Sequence, residues 1–592
     1  MSTNWKYGLL GFLLACGAGA QEGVKSSSMV IDKPQAEYTI DVGGTMDPEN
    51  LEITIENLGD TPVVNPRLSV NGLYDWYDAK ALADEITRGL QTDEEKALAI
   101  WWWVRYRTFQ RSPYDDTAVH PVRAMNGYGY GICGHVAAWM KGLWTAAGVK
   151  GRIQELWGHT VSEAFYNGAW HELDGNVKVF YLDRDNRTIA SLATLEHDKW
   201  LIERTIHPRE LEPWFLGLDT PERNEEFVRY ITSYKDNYEE LGDDAALARN
   251  YSMAMTLKPG EKLVRWWTPR LGKFEGRDQR AEAPRIYANG QLIWEPDLHR
   301  VDIRPYLSIE SWGNISTAHD GRSPAIHVAD LQDELYTRPS VFSIPIDSPY
   351  PIVGGRFSCT LVKQGDSGLD SASVYFGRPQ WASGDLYEYR WGQGPQKVSV
   401  DLDAKLLKSG VPYKYSIGFA IRGNAAGKPP SQAGVDAFRS ETDLQVSPHS
   451  LPVLSLGKNT IVFRQESSQP IKVRITYRWR EIQDRRPPAT IGKAMSPASG
   501  AEVASLTPVL TWAPEASATD YQVMVSLRPD CRWPLSTTLH RNVGSAKTEW
   551  QVPASFLNTG TTYYWKVRAR NERGDIGDWG TVFSFKTAAG AK

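Results

Sequence analysis

The sequence has little cysteine. Four occur in 592 residues, Cys16, Cys133, Cys359 and Cys531, and no two lie close together. That excludes a small disulfide-stapled scaffold. It also excludes zinc ribbons and cysteine-ligated iron–sulfur centres, which need thiols clustered along the chain. The 11 histidines include no His-Glu-x-x-His pair and no close cluster, so no metal centre is expected and no cofactor is called for. An excess of one charge is missing too. Lys and Arg number 66 against 71 Asp and Glu, a net charge of −5, which argues against nucleic acid as a partner because polyanion binding relies on a basic field. No stretch beyond the N-terminus reaches the ~18 apolar residues of a membrane span. The longest, Ala97 to Val104, reads as a buried helix.

What is present points to an exported, multidomain protein. At ~150 residues per domain the length implies about three to five domains. Residues 1–20 have the form of an export signal: Lys6, an apolar run from Gly8 to Ala15, then small residues from Cys16 to Ala20. Two processing routes stay open. Ala18-Gly19-Ala20 is an A-x-A cleavage site, whereas Leu13-Leu14-Ala15-Cys16 resembles a bacterial lipobox that would leave a lipidated Cys16. The expected location is periplasmic, outer-membrane lipoprotein or secreted, with membrane contact only through an anchor at Cys16.

Periodicity divides the rest. Residues 21–75 read as a polar leader and a small β unit, with period-two runs at Tyr38-Ile40-Val42 and Leu51-Ile53-Ile55. Residues 76–255 read as an α+β domain with a helical extension. It opens with a helix over Asp78 to Arg88 and a capping box at Thr92-Asp93-Glu94-Glu95. A glycine-rich loop, Asn126-Gly127-Tyr128-Gly129-Tyr130-Gly131, and a helix from Cys133 to Ala147 follow. A β-rich linker domain is expected over 256–350, with a hairpin turn at Asn289-Gly290. A β-sandwich suited to carbohydrate is expected over 351–484, and Arg485-Arg486-Pro487-Pro488 reads as a linker.

The last unit, 492–588, is more specific. Leu557-x-Thr559-x-Thr561-x-Tyr563 with Val567 and Ala569 resembles the E–F region of fibronectin type III domains. Trp512 stands as the core tryptophan and Tyr563 as the tyrosine corner.

One constellation can carry chemistry. Cys133 follows Gly131-Ile132 and opens a helix, where unpaired N–H groups and the macrodipole favour a thiolate. The loop glycines are expected to let a substrate backbone approach. Downstream, Asn167-Gly168 sits between alternating runs and predicts a two-residue hairpin turn. If Tyr166 pairs with Ala169, paired positions sum to 335. His159 then shares a face with Asp174 as a diagonal neighbour and with Asn176 directly opposite, while His171 points away. Geometry therefore selects His159 as the base and leaves Asp174 and Asn176 as rival orienters.

This ordered set resembles the transglutaminase-like superfamily, relatives of papain-type peptidases, over roughly 75–205. The matching pieces are Thr92 to Val104, Gly131-Ile132-Cys133-Gly134-His135, Ala147-Gly148-Val149-Lys150-Gly151-Arg152, Gly158-His159-Thr160-Val161 and Trp170-His171-Glu172-Leu173-Asp174. The resemblance implies Cys133 as nucleophile, His159 as base and Asp174 as orienter. The sequence departs from the family at His159-Thr160-Val161, where His-Ala-Trp is common, and at Asp174-Gly175, where Asp-Pro is common.

Tyr128, Tyr130, Trp170 and Asn176 are the candidate substrate contacts. The Cys133 backbone N–H is a natural oxyanion donor, with side chains of the Tyr128–Tyr130 loop or Trp101–Trp103 as further candidates. Asp183-Arg184-Asp185-Asn186 lacks the glycine and glutamate of a calcium loop and reads as a solvated turn. Glu163 and Glu172 face each other across the hairpin and are expected at a solvated rim. The expected function is a cysteine-dependent hydrolase of amide bonds acting through a thioester on a protein or glycan substrate outside the cytoplasm. Acyl transfer stays open. The alternative is a polysaccharide-binding or polysaccharide-cleaving protein, such as a lyase, supported by 23 tryptophans: at least one of Trp101, Trp102 and Trp103 is expected exposed or in a cleft, and Trp266-Trp267, Trp294, Trp312, Trp381 and Trp391 fall in β-rich segments.

Overall fold

The structure is a computed structural model. It describes residues 23–113, 115–156, 158–205, 251–268, 288–309, 315–317, 324–328, 339–364, 370–377, 386–406, 411–422 and 433–592. The expected signal, Cys16, Trp312, Trp381 and most of the expected helical extension lie outside these residues. Among the described residues no helix is long and apolar enough to cross a membrane. The architecture is multidomain: an α+β core followed by β-sandwich modules.

The β segments interlock rather than follow one another. A ten-stranded sheet runs Val24–Ile31, Val473–Arg480, Glu49–Asn57, Glu261–Trp266, Gly290–Trp294, Ala433–Leu444, Ile326–Val328 and Ile315–Ser316, and Ile352–Lys363 and Gly394–Asp401 branch from it. The expected polar leader is therefore an edge strand, its Val24–Ile31 paired with Val473–Arg480. The expected N-terminal β unit is not self-contained. Glu49–Asn57 pairs with Val473–Arg480 and with Glu261–Trp266, and Gln35–Val42 pairs with Gly457–Arg464. The physical reason is burial. Ile53, Ile55, Ile475 and Tyr477 are buried in one core that spans all these segments, and no single segment could close it. The Asn289-Gly290 hairpin does not form. Gly290 begins a central strand paired on both sides, with Arg265 and with Leu444.

The α+β domain matches its sequence pattern closely. Asp78 caps the helix Ala79–Ile86, accepting the Ala81 N–H, and Thr92 and Glu95 form the capping box of the helix Asp93–Arg107. The helix Cys133–Ala146 buries Val136, Trp139, Met140, Leu143 and Trp144, the i, i+3/i+4 stripe of an amphipathic helix. It packs on an antiparallel sheet of Lys150–Leu156, His159–Tyr166 and Ala169–Glu172. The hairpin register is Ala169 with Tyr166 through Glu172 with Glu163, as the Asn167-Gly168 turn requires.

The C-terminal sandwich has a three-stranded and a five-stranded sheet. Trp512 is buried beside Trp565, and the Tyr563 hydroxyl accepts the Asn558 N–H at 2.6 Å. This module docks on the α+β domain. Arg528 pairs with Glu95 at 2.5 Å, and Trp102 packs on His540 with ring centroids 5.2 Å apart. Trp102 is thus half-buried at this junction, the partly exposed one of the three, and Trp101 and Trp103 are core residues. Trp266 and Trp294 are also buried, whereas Trp391 is 71% exposed.

Candidate active site

The helix that carries Cys133 begins without a side-chain cap. Ile132 is extended there and lends no side-chain hydrogen bond, so the first N–H groups stay open to an anion. The thiol is a hydrogen-bond partner of the His159 ring and of the backbone N–H groups of Thr160 and Gly134. Burial works to raise its pKa, but His159 and the two N–H groups outweigh it, and the thiol is held below its ordinary range.

His159 starts the middle strand and is buried. Its Nε2 meets Asp174 Oδ2 at 2.7 Å, which leaves Nδ1 for Cys133. Burial works against the imidazolium. The Asp174 charge and hydrogen bond, aided by Cys133, overcome it and push the ring up to about 10. Both shifts favour the thiolate–imidazolium form of the pair over thiol and neutral ring.

Asp174 is fixed on every side. Its Oδ1 accepts the N–H groups of Asn176 at 2.7 Å and Val177 at 2.9 Å, and its carbonyl accepts Trp101 Nε1 at 2.9 Å. Beyond Glu172 the hairpin ladder ends and 174–179 turns back, with Asp174 bridged to Val179. Gly175 makes this turn fit, because a Cβ there would stand 2.9 Å from Val136 of the nucleophile helix. That close approach gives a physical reason for glycine where the family commonly has proline.

The turn decides between the rival orienters. Asp174 holds the His159 ring, whereas Asn176 leaves the ladder and supports Asp174 through its backbone N–H; Asn176 is 6% exposed. Tyr128 and Tyr130 are 0% exposed and are not substrate contacts. The Tyr128 hydroxyl donates to Asp115 Oδ2 at 2.9 Å, and the Tyr130 hydroxyl accepts from Gln445 at 3.1 Å. Trp170 is partly exposed but lies four residues along the hairpin from Asp174, about 13 Å at ~3.3 Å per residue, where Arg152 stacks on its ring at 4.2 Å. Trp101 is spent on the Asp174 carbonyl and cannot serve as an oxyanion donor. His171 points away as expected, with both ring nitrogens on backbone carbonyls, Ile189 at 2.6 Å and Tyr166 at 3.1 Å.

The two glutamates are not at a rim. Both are 0% exposed. Glu163 is paired with Arg152 at 2.6 Å and accepts the Leu192 N–H at 2.8 Å. Glu172 has no hydrogen-bond partner for either oxygen among the described residues. Burial, then the charges of Asp174 and Glu163, hold it well above the carboxylate range, hence neutral. Alternation placed both residues on this face, but nothing local in the sequence tells a covered face from a wet one. Asp185 caps its own turn through Arg187 and Thr188 N–H groups. Among the described residues no three His, Cys, Asp or Glu gather so as to hold a metal ion.

Comparisons with known proteins match two segments of the chain. A family described as the transglutaminase-like superfamily matches residues 80–184. A family described as "Rha78A-like, N-terminal immunoglobulin domain" matches residues 498–590. No curated protein matches. Among solved structures, an Fn3-like protein from Clostridium thermocellum is 19% identical, with 17% of this chain and 90% of that chain covered and a TM-score of 0.13. Red sea bream transglutaminase is 9% identical, with 88% of this chain and 77% of that chain covered and a TM-score of 0.15. A beta-1,2-glucanase from Parabacteroides distasonis is 12% identical, with 48% and 37% covered and a TM-score of 0.13, so the match spans about a third of its length. Overlaps this small carry no argument. The chain carries a transglutaminase-like superfamily domain at 80–184 and an immunoglobulin-like domain at 498–590.

Proposed function

We propose that the chain is a cysteine-dependent enzyme that hydrolyses amide bonds. The observation that supports this is the contact chain from the half-buried Cys133 thiol through the buried His159 ring to the buried Asp174 carboxylate. The Cys133 thiolate attacks the amide carbonyl carbon, and the carbonyl electron pair moves onto oxygen. The open N–H of Cys133 at the helix start faces the charge that develops there. Collapse breaks the C–N bond. His159 gives its proton to the departing amine and a thioester remains. His159 then takes a proton from water, the hydroxide attacks the thioester, and acid and thiolate are released. An amine in place of water would give acyl transfer. Asp174 holds the ring and balances the imidazolium throughout. The reading extends to a substrate outside the cytoplasm, on the strength of residues 1–20 alone.

The carbohydrate reading draws on the exposed ring of Trp391, 71% open, since flat exposed aromatics stack on sugars; Trp200, 37% open, has Arg184 and Arg204 over its ring. Loss of polysaccharide binding in Trp391→Ala would favour it.

A thiol probe read by mass spectrometry tests the enzyme reading. Burial pushes the thiols of Cys359 and Cys531 up to about 12, so at neutral pH, of these three, only Cys133 should be labelled. Cys133→Ser should lose the label, and Cys133→Ala should lose all activity on the natural substrate. Full activity in Cys133→Ala would defeat the mechanism.

A further inference from the structure

The glycine-rich loop before Cys133 is held from far along the chain. Asn126, Gly127 and Gly129 face not a substrate but the strand ends of the β modules. Asn126 O accepts the Ser447 N–H at 2.7 Å. A Cβ on Gly127 would stand 2.8 Å from Pro351, and one on Gly129 would stand 2.9 Å from Ser447 Oγ. Gly129 also has φ +71°, in the left-handed region. Gly127 and Gly129 thus admit the protein's own side chains, those of Pro351 and Ser447, in place of the substrate backbone expected there.

Gln445 is the centre of this contact. It is 0% exposed, its N–H donates to Pro351 O at 3.0 Å, and its Nε2 donates to Gly127 O and to the Tyr130 hydroxyl, each at 3.1 Å. The amide orientation follows from chemistry, because Gly127 O is an acceptor and only the NH₂ end can satisfy it. Gln445 Oε1 has no partner among the described residues. A side chain that leaves one buried oxygen unpaired in order to place two donor bonds is specified by the loop it holds. Tyr130 and Gly131 form the short strand that runs directly into Ile132 and Cys133, so the loop sets where the thiol sits.

We propose that Gln445 is a positioning residue for Cys133: its two hydrogen bonds to Gly127 and Tyr130 fix the loop that presents the thiolate to His159. This rests on the cysteine-enzyme reading above. It makes the β module a working part of the site rather than a tether.

The test uses the full chain and the rate of iodoacetamide alkylation of Cys133 as a function of pH. Gln445→Met keeps size and removes both donor bonds. It should slow alkylation at pH 7 about tenfold and move the apparent thiol pKa upward, while far-UV circular dichroism shows a folded chain. Asn459→Leu is the structural control. It removes a buried amide that bonds Ser455 and Gly457 carbonyls in the distant N-terminal sheet, so it should lower Tm and leave the alkylation profile as in the parent. Should Gln445→Met not fold, Tyr130→Phe removes one of the two acceptors and should slow alkylation by a smaller factor. A parental profile in Gln445→Met, or equal slowing in Asn459→Leu, overturns the proposal. Failure of the parent protein itself to label at Cys133 would instead overturn the cysteine-enzyme reading.

Discussion

The two arms of the site are built in opposite ways. The hairpin arm is local: His159 and Asp174 bond across 15 residues of sequence, through a turn of two residues. The loop arm is remote: Gly127 bonds Gln445 across 318 residues, and Tyr128 meets Tyr413 at 3.1 Å across 285. Both arms end on the same thiol. In the proposed mechanism the hairpin arm supplies the charges of the reaction, and the loop arm supplies the place where they act. Substitutions in the hairpin arm should therefore change chemistry, and those in the loop arm should change stability and thiol presentation.

The sharpest test of the division is Asp174→Asn. An asparagine cannot balance the imidazolium and favours the wrong tautomer, which costs about 10⁴-fold in kcat in a comparable triad. A loss of about 10³–10⁴-fold in kcat is expected, with KM little changed. The pH profile should move too. In the parent, the thiolate–imidazolium pair exists above the lowered pKa of Cys133 and disappears as pH rises through about 10, where His159 loses its proton. Because His159 is raised above its unfolded value, its contribution to stability is full below about 6.5 and is lost as pH rises toward 10. Without the carboxylate, the alkaline limb of kcat/KM, set by the His159 proton that the departing amine takes, should fall to lower pH. If Asp174→Asn retained half the parental kcat, the hairpin arm would have no special role.

On the loop arm, Tyr128→Phe is expected to be milder and of another kind. The hydroxyl donates to Asp115, which also accepts from Tyr413 of the β module, and Arg123 stacks on Tyr413 at 4.0 Å. Removing one buried donor costs about 1–2 kcal/mol, seen as a lower denaturation midpoint. KM should not change, because the ring is fully buried. A raised KM at unchanged stability would return Tyr128 to the substrate.

This contrast also explains what the sequence discloses. The capping box at Thr92, the Asn167-Gly168 turn and the apolar stripe from Val136 to Trp144 report contacts made within a few residues, and they located the helices and the hairpin register. The choice of Asp174 over Asn176 turned on where the ladder stops, which depends on Gly175 packing against Val136. The interlocked strands were not legible at all. Period two shows that Leu51-Ile53-Ile55 has a buried face but not that Val473–Arg480 covers its edge. For the same reason the loop glycines looked open to substrate: the residues that fill their space lie in another module.

The smallest expected effect belongs to Glu172→Gln, and it tests whether the hairpin arm carries one negative charge or two. Glu172 shares a face with Asp174, stands opposite Glu163, and lacks a partner for either oxygen among the described residues. A second anion there would add to the pull on His159, and its removal would shift the alkaline limb of kcat/KM downward. A neutral acid adds no charge, so Glu172→Gln should leave that limb in place. Stability gives the independent reading. The folded state keeps the proton where the unfolded chain releases it near pH ~4.3, so this group's contribution is full below that pH and falls as pH rises toward its raised pKa. Glutamine cannot titrate and removes the fall. The stability of Glu172→Gln relative to the parent, measured by urea denaturation, should therefore grow steadily from pH 4 to pH 8. A difference that stays flat over that range would mean that Glu172 is ionised in the folded protein, and the single-charge account of the hairpin arm would be wrong.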